Sequence, residues 1–153
     1  MYIRRRAEVL NVKFGENVTV IEPSNLYGCE LSDDVFVGPF VEIQSNVFVG
    51  IRSRIQSHSF ICSGVTIGSD CFIGHGVMFV NDKWTNGRAM GDQSKWSDTF
   101  VGNNVLIGSN STILPVKICD DVVIGAGSVV TKNITQPGKY TGVPAKLITK
   151  GSQ

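Results

Sequence analysis

The chain has 153 residues, of which 42% are hydrophobic and 18% charged, and its formal net charge is +1. A charge so close to zero argues against a nucleic-acid partner, and no apolar run approaches the roughly 18 residues that span a membrane. The basic residues between Met1 and Arg6 are not followed by an apolar stretch, so no secretory signal is predicted. We therefore expect a single domain over residues 1–153, in the cytoplasm, with neither nucleic acid nor a membrane as partner.

A six-residue repeat begins near the N-terminus and organises the chain. From Leu31 to Phe79 an aliphatic residue or Phe recurs every six positions, and Gly follows several of these residues. A second set of small or aliphatic residues, beginning at Val35, lies four positions later in each hexad. With one slip of a residue, the N-terminal end joins the same pattern through Phe14, Val20 and Asn25.

The segment of residues 80–100 interrupts the repeat. It has no six-residue period and carries both tryptophans of the chain, Trp84 and Trp96. A long loop inside a compact domain is usually functional or disordered, and two tryptophans argue against disorder. We therefore expect this loop to carry function, a solvated insertion being the alternative.

The repeat resumes at Val101 and continues to Val130, with a second slip between Ile113 and Ile118. Eighteen hexads, at three to a triangular coil, predict an all-β, parallel β-helix of about six coils with the aliphatic residues inside. The chain has no Cys-x-x-Cys pair. Cys29 and Cys71 occupy the inward small-residue position, which predicts that they fill the core.

Two strings around the start of the loop carry a resemblance to a known family. They are IQSHSFIC, from Ile55 to Cys62, and IGHGVMFVND, from Ile73 to Asp82. Together with the hexads, they resemble the hexapeptide-repeat acyltransferases, whose fold is a left-handed parallel β-helix. The resemblance is strongest to the subgroup that N-acylates nucleotide-linked amino sugars.

Two further strings near the C-terminus resemble those that line the acetyl-CoA site of many such enzymes. They are IGAGSVVTK from Ile124 and GVPAK from Gly142. The resemblance implies acetyl-CoA as cosubstrate, no metal, and a CoA site made by Gly108, Ala126, Gly127, Lys132, Pro144 and Lys146. Relatives usually have a glycine where this chain has Cys119, and the segment before it is one residue shorter here.

The resemblance also implies an activity and an assembly. The activity is acetyl-CoA-dependent N-acetylation of a nucleotide-linked, in particular dTDP-linked, 3-amino-3,6-dideoxyhexose. The same fold acylating a 4-amino sugar or a small hydroxyl acceptor is the alternative. The assembly is a homotrimer with its sites between subunits.

Three residues are candidates for the chemistry, which needs an oriented amine, donors for an oxyanion and a route for a proton. Asn81 and Asp82 stand where the loop leaves the helix wall and could hold the amine. Asp82 could also accept a proton if burial raised its pKa. The same pair is typical of an Asx turn. His75 is the second candidate base, and the spacing places it near the same corner as His58, one coil away.

The predicted acceptor-binding residues are Gln56, His58, Arg52, Trp84 and Arg88. The guanidinium of Arg52 suits a diphosphate because its fork of donors matches the oxygens, although a solvated surface charge is the alternative. Trp84 could stack on a base or anchor the loop against a neighbouring subunit.

Two other classes of protein compete with this interpretation. Some left-handed β-helices are zinc enzymes with three histidine ligands, but this chain has only two histidines. A purely structural solenoid, such as an ice-binding protein, would show regular threonine arrays, whereas the threonines here are scattered.

Overall fold

A computed structural model describes residues 9–85, 87–89 and 91–148. Each hexad has room for one short strand before the chain turns, so the strands contain only two to four residues. Strands of successive coils pair in parallel and build three sheets. In the part of the chain described, no helix is long and apolar enough to cross a membrane.

The strands are divided among the three sheets as follows. Sheet A contains β1 (Val9–Leu10), β4 (Asn25–Tyr27), β7 (Glu42–Ile43), β10 (Phe60–Ile61), β13 (Met78–Phe79), β16 (Thr112–Ile113) and β19 (Val129–Val130). Sheet B contains β2 (Lys13–Phe14), β5 (Glu30–Leu31), β8 (Phe48–Val49), β11 (Val65–Ile67), β14 (Thr99–Val101) and β17 (Lys117–Ile118). Sheet C contains β3 (Thr19–Val20), β6 (Phe36–Val37), β9 (Arg54–Ile55), β12 (Phe72–Ile73), β15 (Leu106–Ile107), β18 (Val122–Ile124), β20 (Gly138–Thr141) and β21 (Lys146–Leu147).

The predicted all-β parallel β-helix is confirmed. Sheet A has seven strands, one in each coil, so the described chain makes seven coils where the hexad count gave about six. The additional strand at the start is β1, which precedes the first hexad of the repeat. Among the strands of the described residues, only β21 runs antiparallel, folding back on β20.

The slip near the N-terminus lies one hexad later than predicted. Leu26, not Asn25, points inward, since it is fully buried and pairs with Ile43 while Asn25 pairs with Glu42. The short step therefore runs from Leu26 to Leu31, where Gly28 adopts a left-handed φ of 60°. The second predicted slip is confirmed, because Ile113 and Ile118 are both buried.

The core is the column of inward residues that the hexad pattern predicted. From Leu31 to Phe79 every sixth residue is at most 1% exposed, and each such side chain contributes about 1.5–3 kcal/mol by leaving water. Cys29 and Cys71 are buried in this column, as predicted. Phe14 is 48% exposed and lies in the first of the described coils.

Three corners join the sheets, and we name each by the sheets that it connects. The AB corner includes Gly28, Ser45, Ser63 and Asn81; the BC corner includes Asp33, Arg52, Ser69 and Asn103; the CA corner includes Phe40, His58, His75 and Ser109. A residue with left-handed φ occurs at most corners. Asn or Asp usually occupies this position, because their short polar side chains tolerate that conformation. Phe40, Arg52 and His58 are exceptions, with φ of 59°, 59° and 63°.

Candidate functional site

The loop leaves the β-helix at the AB corner of the fifth coil. It begins after β13 and ends before β14, where the hexad repeat predicted the interruption. The backbone N–H of Ser97 donates to the carbonyl of Asn81 at 2.9 Å, so the two ends of the loop are joined. A short 3-10 helix, Gln93–Lys95, lies within the loop and is capped by Asp92. The loop is thus tied at its base and lies over one corner.

A row of polar contacts holds the base of the loop. Asn81 Nδ2 donates to the carbonyl of Ser63 in the coil below at 3.2 Å. The N–H of Ser63 donates to Gln44 Oε1 at 3.1 Å, and Gln44 Nε2 donates to Glu42 at 3.0 Å. Burial raises the pKa of Tyr27, which lies beside this row, and the Glu42 carboxylate adds to that effect. Asn81 is therefore positioned by three consecutive coils.

Asp82 forms the turn that was the alternative to a catalytic role. Its Oδ1 accepts the backbone N–H of Trp84 at 2.9 Å, an Asx turn. Trp84 is 63% exposed and has a φ of 49°. The turn uses one carboxylate oxygen, and Asp82 is only half-buried. Its catalytic role stays a prediction.

A small polar cleft of about 130 Å³ lies between the loop and the AB corner. Its lining consists of hydroxyl, amide and carboxylate side chains with one indole: Ser45, Asn46, Ser63, Gly64, Gln93, Trp96 and Asp98. Gly64 has a φ of 83°, and the carboxylate of Asp98 lies where a side chain at Gly64 would be. The end of the loop therefore packs on bare backbone.

A second group of predicted residues follows the CA corner from coil to coil. His58 and His75 lie on successive coils there, as predicted, since the N–H of Gly76 bonds to the carbonyl of Ser57. The corner continues through the predicted CoA residues Gly108, Ala126, Gly127 and Pro144. At Gly108, an added Cβ would lie 2.7 Å from the Cα of Ala126, so only glycine permits this close approach.

The two groups lie at opposite edges of sheet A. The chain passes from His58 at the CA corner through β10 to Ser63 at the AB corner, five residues, or about 16 Å of extended chain. One chain therefore does not bring Asn81 and His75 together. Lys132 lies at the AB corner of the last coil, and Lys146 lies on β21; both are exposed.

Arg52 lies apart from both groups, at the BC corner. Its guanidinium is engaged twice by Asp70, with Nε and Nη2 bonds of 2.7 and 2.8 Å. Arg88 is exposed in the loop. Gln56 lies at the CA corner, and among the described residues its buried Nε2 has no hydrogen-bond partner.

The sequence did not single out Ser63, which no periodic signal distinguishes from other corner serines. Gln44 could be found, because it stands where most hexads have a small residue. Burial raises the pKa of the Cys62 thiol to about 12, which disfavours the thiolate that a nucleophile needs. Among the described residues, no three His, Cys, Asp or Glu side chains gather in a way that could hold a metal ion.

Known proteins resemble this chain in both sequence and fold. The family profile described as "Hexapeptide repeat of succinyl-transferase" matches residues 41–78 and 99–132. A chloramphenicol acetyltransferase of Morganella morganii is 48% identical over 54 residues, which are 35% of this chain and 26% of that protein. Galactoside O-acetyltransferase of Escherichia coli is 53% identical over 49 residues, 31% of this chain and 24% of that protein. The chain thus matches about a quarter of the length of these curated relatives.

Solved structures extend the likeness to most of the chain. A variant of AntD, an N-acyltransferase from Bacillus cereus, solved in complex with dTDP and coenzyme A, superposes with a TM-score of 0.80 at 21% identity. The match covers 92% of this chain and 83% of AntD. A variant of perosamine N-acetyltransferase from Caulobacter crescentus, in complex with CoA and GDP-perosamine, gives a TM-score of 0.74 at 21% identity, covering 89% and 58% of the two chains.

This chain belongs to the class of left-handed parallel β-helices, as its six-residue repeat, its sheet topology and its structural neighbours indicate. Within that class, this chain matches the hexapeptide-repeat profile over 72 of its 153 residues.

Proposed function

We propose that this chain is an acyl-CoA-dependent N-acyltransferase that transfers an acetyl group to the amine of a nucleotide-linked sugar. The loop carries the proposal: Asn81 and Asp82 lie together at its start, while four of the predicted CoA residues, Gly108, Ala126, Gly127 and Pro144, follow the CA corner. Two structural neighbours, AntD and perosamine N-acetyltransferase, are N-acyl or N-acetyl transferases solved with CoA and a nucleotide or nucleotide sugar. The dTDP-linked 3-amino-3,6-dideoxyhexose is the proposed acceptor.

The reaction forms one bond and breaks another. The amine nitrogen attacks the thioester carbonyl, the C–S bond breaks, and amide and free CoA result. The Asn81 side chain, held by Ser63, offers polar atoms to the amine or the oxyanion. Asp82 or His75 accepts the proton, or the leaving thiolate takes it. Holding both substrates in one groove supplies a large part of the rate by proximity.

We propose further that the active unit is a homotrimer. Asn81 and His75 lie at opposite edges of sheet A, so a site that uses both needs the AB corner of one subunit and the CA corner of the next. The loop of one copy then covers the CoA-binding corner of its neighbour. Gel filtration with light scattering tests the assembly, and a monomer that is fully active would contradict it.

Release of free CoA, read with a thiol reagent, tests the activity. The purified protein is incubated with acetyl-CoA and a panel of dTDP- and UDP-linked 3-amino and 4-amino sugars. We expect release with a 3-amino sugar, and a loss of about 10²–10³-fold in kcat for Asn81→Ala. For Asp82→Ala we expect a loss of about 10²–10⁴-fold in kcat if Asp82 is the base.

A matched variant and the pH profile complete this test. Lys83→Ala changes the exposed residue next to Asp82 and should leave kcat unchanged. A profile whose acidic limb disappears in His75→Asn but not in Asp82→Ala would assign the base to His75. No release with any acceptor, and no binding of acetyl-CoA, would refute the proposal.

A hydroxyl acceptor is the second candidate. Galactoside O-acetyltransferase and chloramphenicol acetyltransferase match this chain at 53% identity over 49 residues and 48% over 54 residues. Adding a galactoside and chloramphenicol to the panel tests it: release with either, and with no amino sugar, would favour O-acylation.

A further inference from the structure

We infer that Phe40 and His58 form a stacking platform for a nucleobase, beside a cavity that receives the edge of the base. This inference rests on the proposed function, because CoA and a nucleotide-linked acceptor both carry a base. The two rings lie on successive coils of the CA corner, with their centroids 4.8 Å apart and their planes inclined by 30°. The rings thus stack on each other, and both are exposed.

Backbone preference does not explain Phe40, and core packing explains neither ring. Both residues have a left-handed φ, which His tolerates but which is unfavourable for a bulky side chain such as that of Phe40. The other left-handed residues of the CA corner are Gly76, Asn110 and Gly127. Phe40 is 56% exposed and His58 is also exposed, so the rings gain little by burial. An exposed Phe40 in an unfavourable conformation, stacked on an exposed histidine ring, points to a ligand that stacks on the pair.

The cavity next to Phe40 has the size and lining for a base edge. It measures about 240 Å³ and is lined by Pro23, Ser24, Asn25, Phe40, Val41 and Glu42. Apolar surface dominates this lining, and the Asn25 amide and the Glu42 carboxylate supply a few polar groups. A planar heterocycle with N–H donors at its edge suits this combination, because its faces are apolar and its edge forms hydrogen bonds.

The position along the CA corner favours the base of the acceptor over the adenine of CoA. Phe40 lies in the second coil and His75 in the fourth, about 10 Å apart at roughly 4.8 Å per coil. The predicted CoA residue Ala126 lies in the sixth coil, on the other side of His75. If the base of the acceptor stacks on Phe40, its ribose and diphosphate extend along the CA corner toward His75. The acceptor then approaches His75 from one side and CoA from the other.

Binding measurements with Phe40→Asn and His58→Asn test the platform. Asparagine suits a left-handed φ, so each variant removes a ring without adding backbone strain. The ligands are the thymidine, uridine and guanosine diphosphates, coenzyme A, and phosphopantetheine, which lacks the adenine. We expect the Kd of the preferred nucleoside diphosphate to rise about 5- to 100-fold in each variant. Phe48→Asn removes an exposed ring from sheet B and should change no Kd.

Each outcome decides the inference. Weaker nucleoside diphosphate binding with unchanged CoA binding supports a platform for the acceptor base. Weaker CoA binding with unchanged phosphopantetheine binding supports a platform for adenine. Unchanged binding of all ligands, or a wild-type protein that binds no nucleotide, overturns it. If nucleotide binding depends on the pair but no thiol is released in the activity assay, the platform stands and the proposed acyl transfer fails.

Discussion

Ser53 lies inside the β-helix at the BC corner, and replacing it with alanine should lower the free energy of unfolding. Its side chain is fully buried. Its Oγ donates to the carbonyl of Gly68 at 2.7 Å and accepts the N–H of Cys71 at 2.9 Å, both in the next coil. Ser53→Ala leaves these two backbone groups without the partner. At about 1–2 kcal/mol for each group, in the lower part of the range for an unsatisfied buried group, we expect a loss of about 2–4 kcal/mol.

Thermal unfolding followed by far-UV circular dichroism measures this loss. For a chain of this size about 1 kcal/mol shifts Tm by roughly 2–4 °C, so a shift of about 5–15 °C is expected. The matched control is Ser109→Ala, a half-buried corner serine whose hydroxyl has no hydrogen bond among the described residues. Both variants are compared at one protein concentration, since assembly adds to stability. Equal Tm values for the two variants would refute the reasoning.

Two further predictions concern backbone contact and thiol ionisation. In Gly50→Ala the new Cβ would lie 2.5 Å from the carbonyl carbon of Gly68, so we expect a loss of about 1–3 kcal/mol in urea unfolding, while Gly91→Ala, with open space around it, should cost far less. Burial raises the pKa of Cys29 to about 11 and of Cys62 to about 12, above the ordinary 9.0. The unfolded chain therefore loses these protons first, so stability is full below about pH 9 and falls as the pH rises toward 11–12. Urea midpoints measured across that range check this, and a Cys62→Ala variant with an equally steep fall would contradict it.

The six-residue period of the sequence predicted the features of the fold that recur in every coil. It placed Ile43, Ile61 and Ile73 in the core, because an inward residue must recur whenever the chain completes one side of a coil. It failed at Asn25, since a single slip can be placed in either of two adjacent hexads and only pairing with the next coil decides. Leu26 takes the inward position in that coil, because its side chain is apolar and fills the core.

Contacts between corners were predictable in principle and contacts of the loop were not. Arg52 and Asp70, like Phe40 and His58, are separated by 18 residues, one full coil, so the register alone brings each pair together. The hydrogen bond from Asn81 to Ser63 also follows the register. Beyond Asp82 the loop has no period, so the fold of Trp84 and Trp96 depends on local turns and on packing that no spacing reveals.

The way in which the loop is inserted into the β-helix determines which parts of the sequence can vary independently. Thr66 pairs with Phe100, 34 residues away, where the equivalent pairing to Phe48 in the coil below spans 18, so 16 residues are added without disturbing any ladder. Among the described residues, each strand pairs with strands of neighbouring coils or with an adjacent strand at the end of the stack, and none pairs with the inserted segment. The scaffold and the inserted segment are therefore separate units of variation. Length and composition of the segment can be exchanged, by evolution or by design, while the walls of the β-helix stay in register.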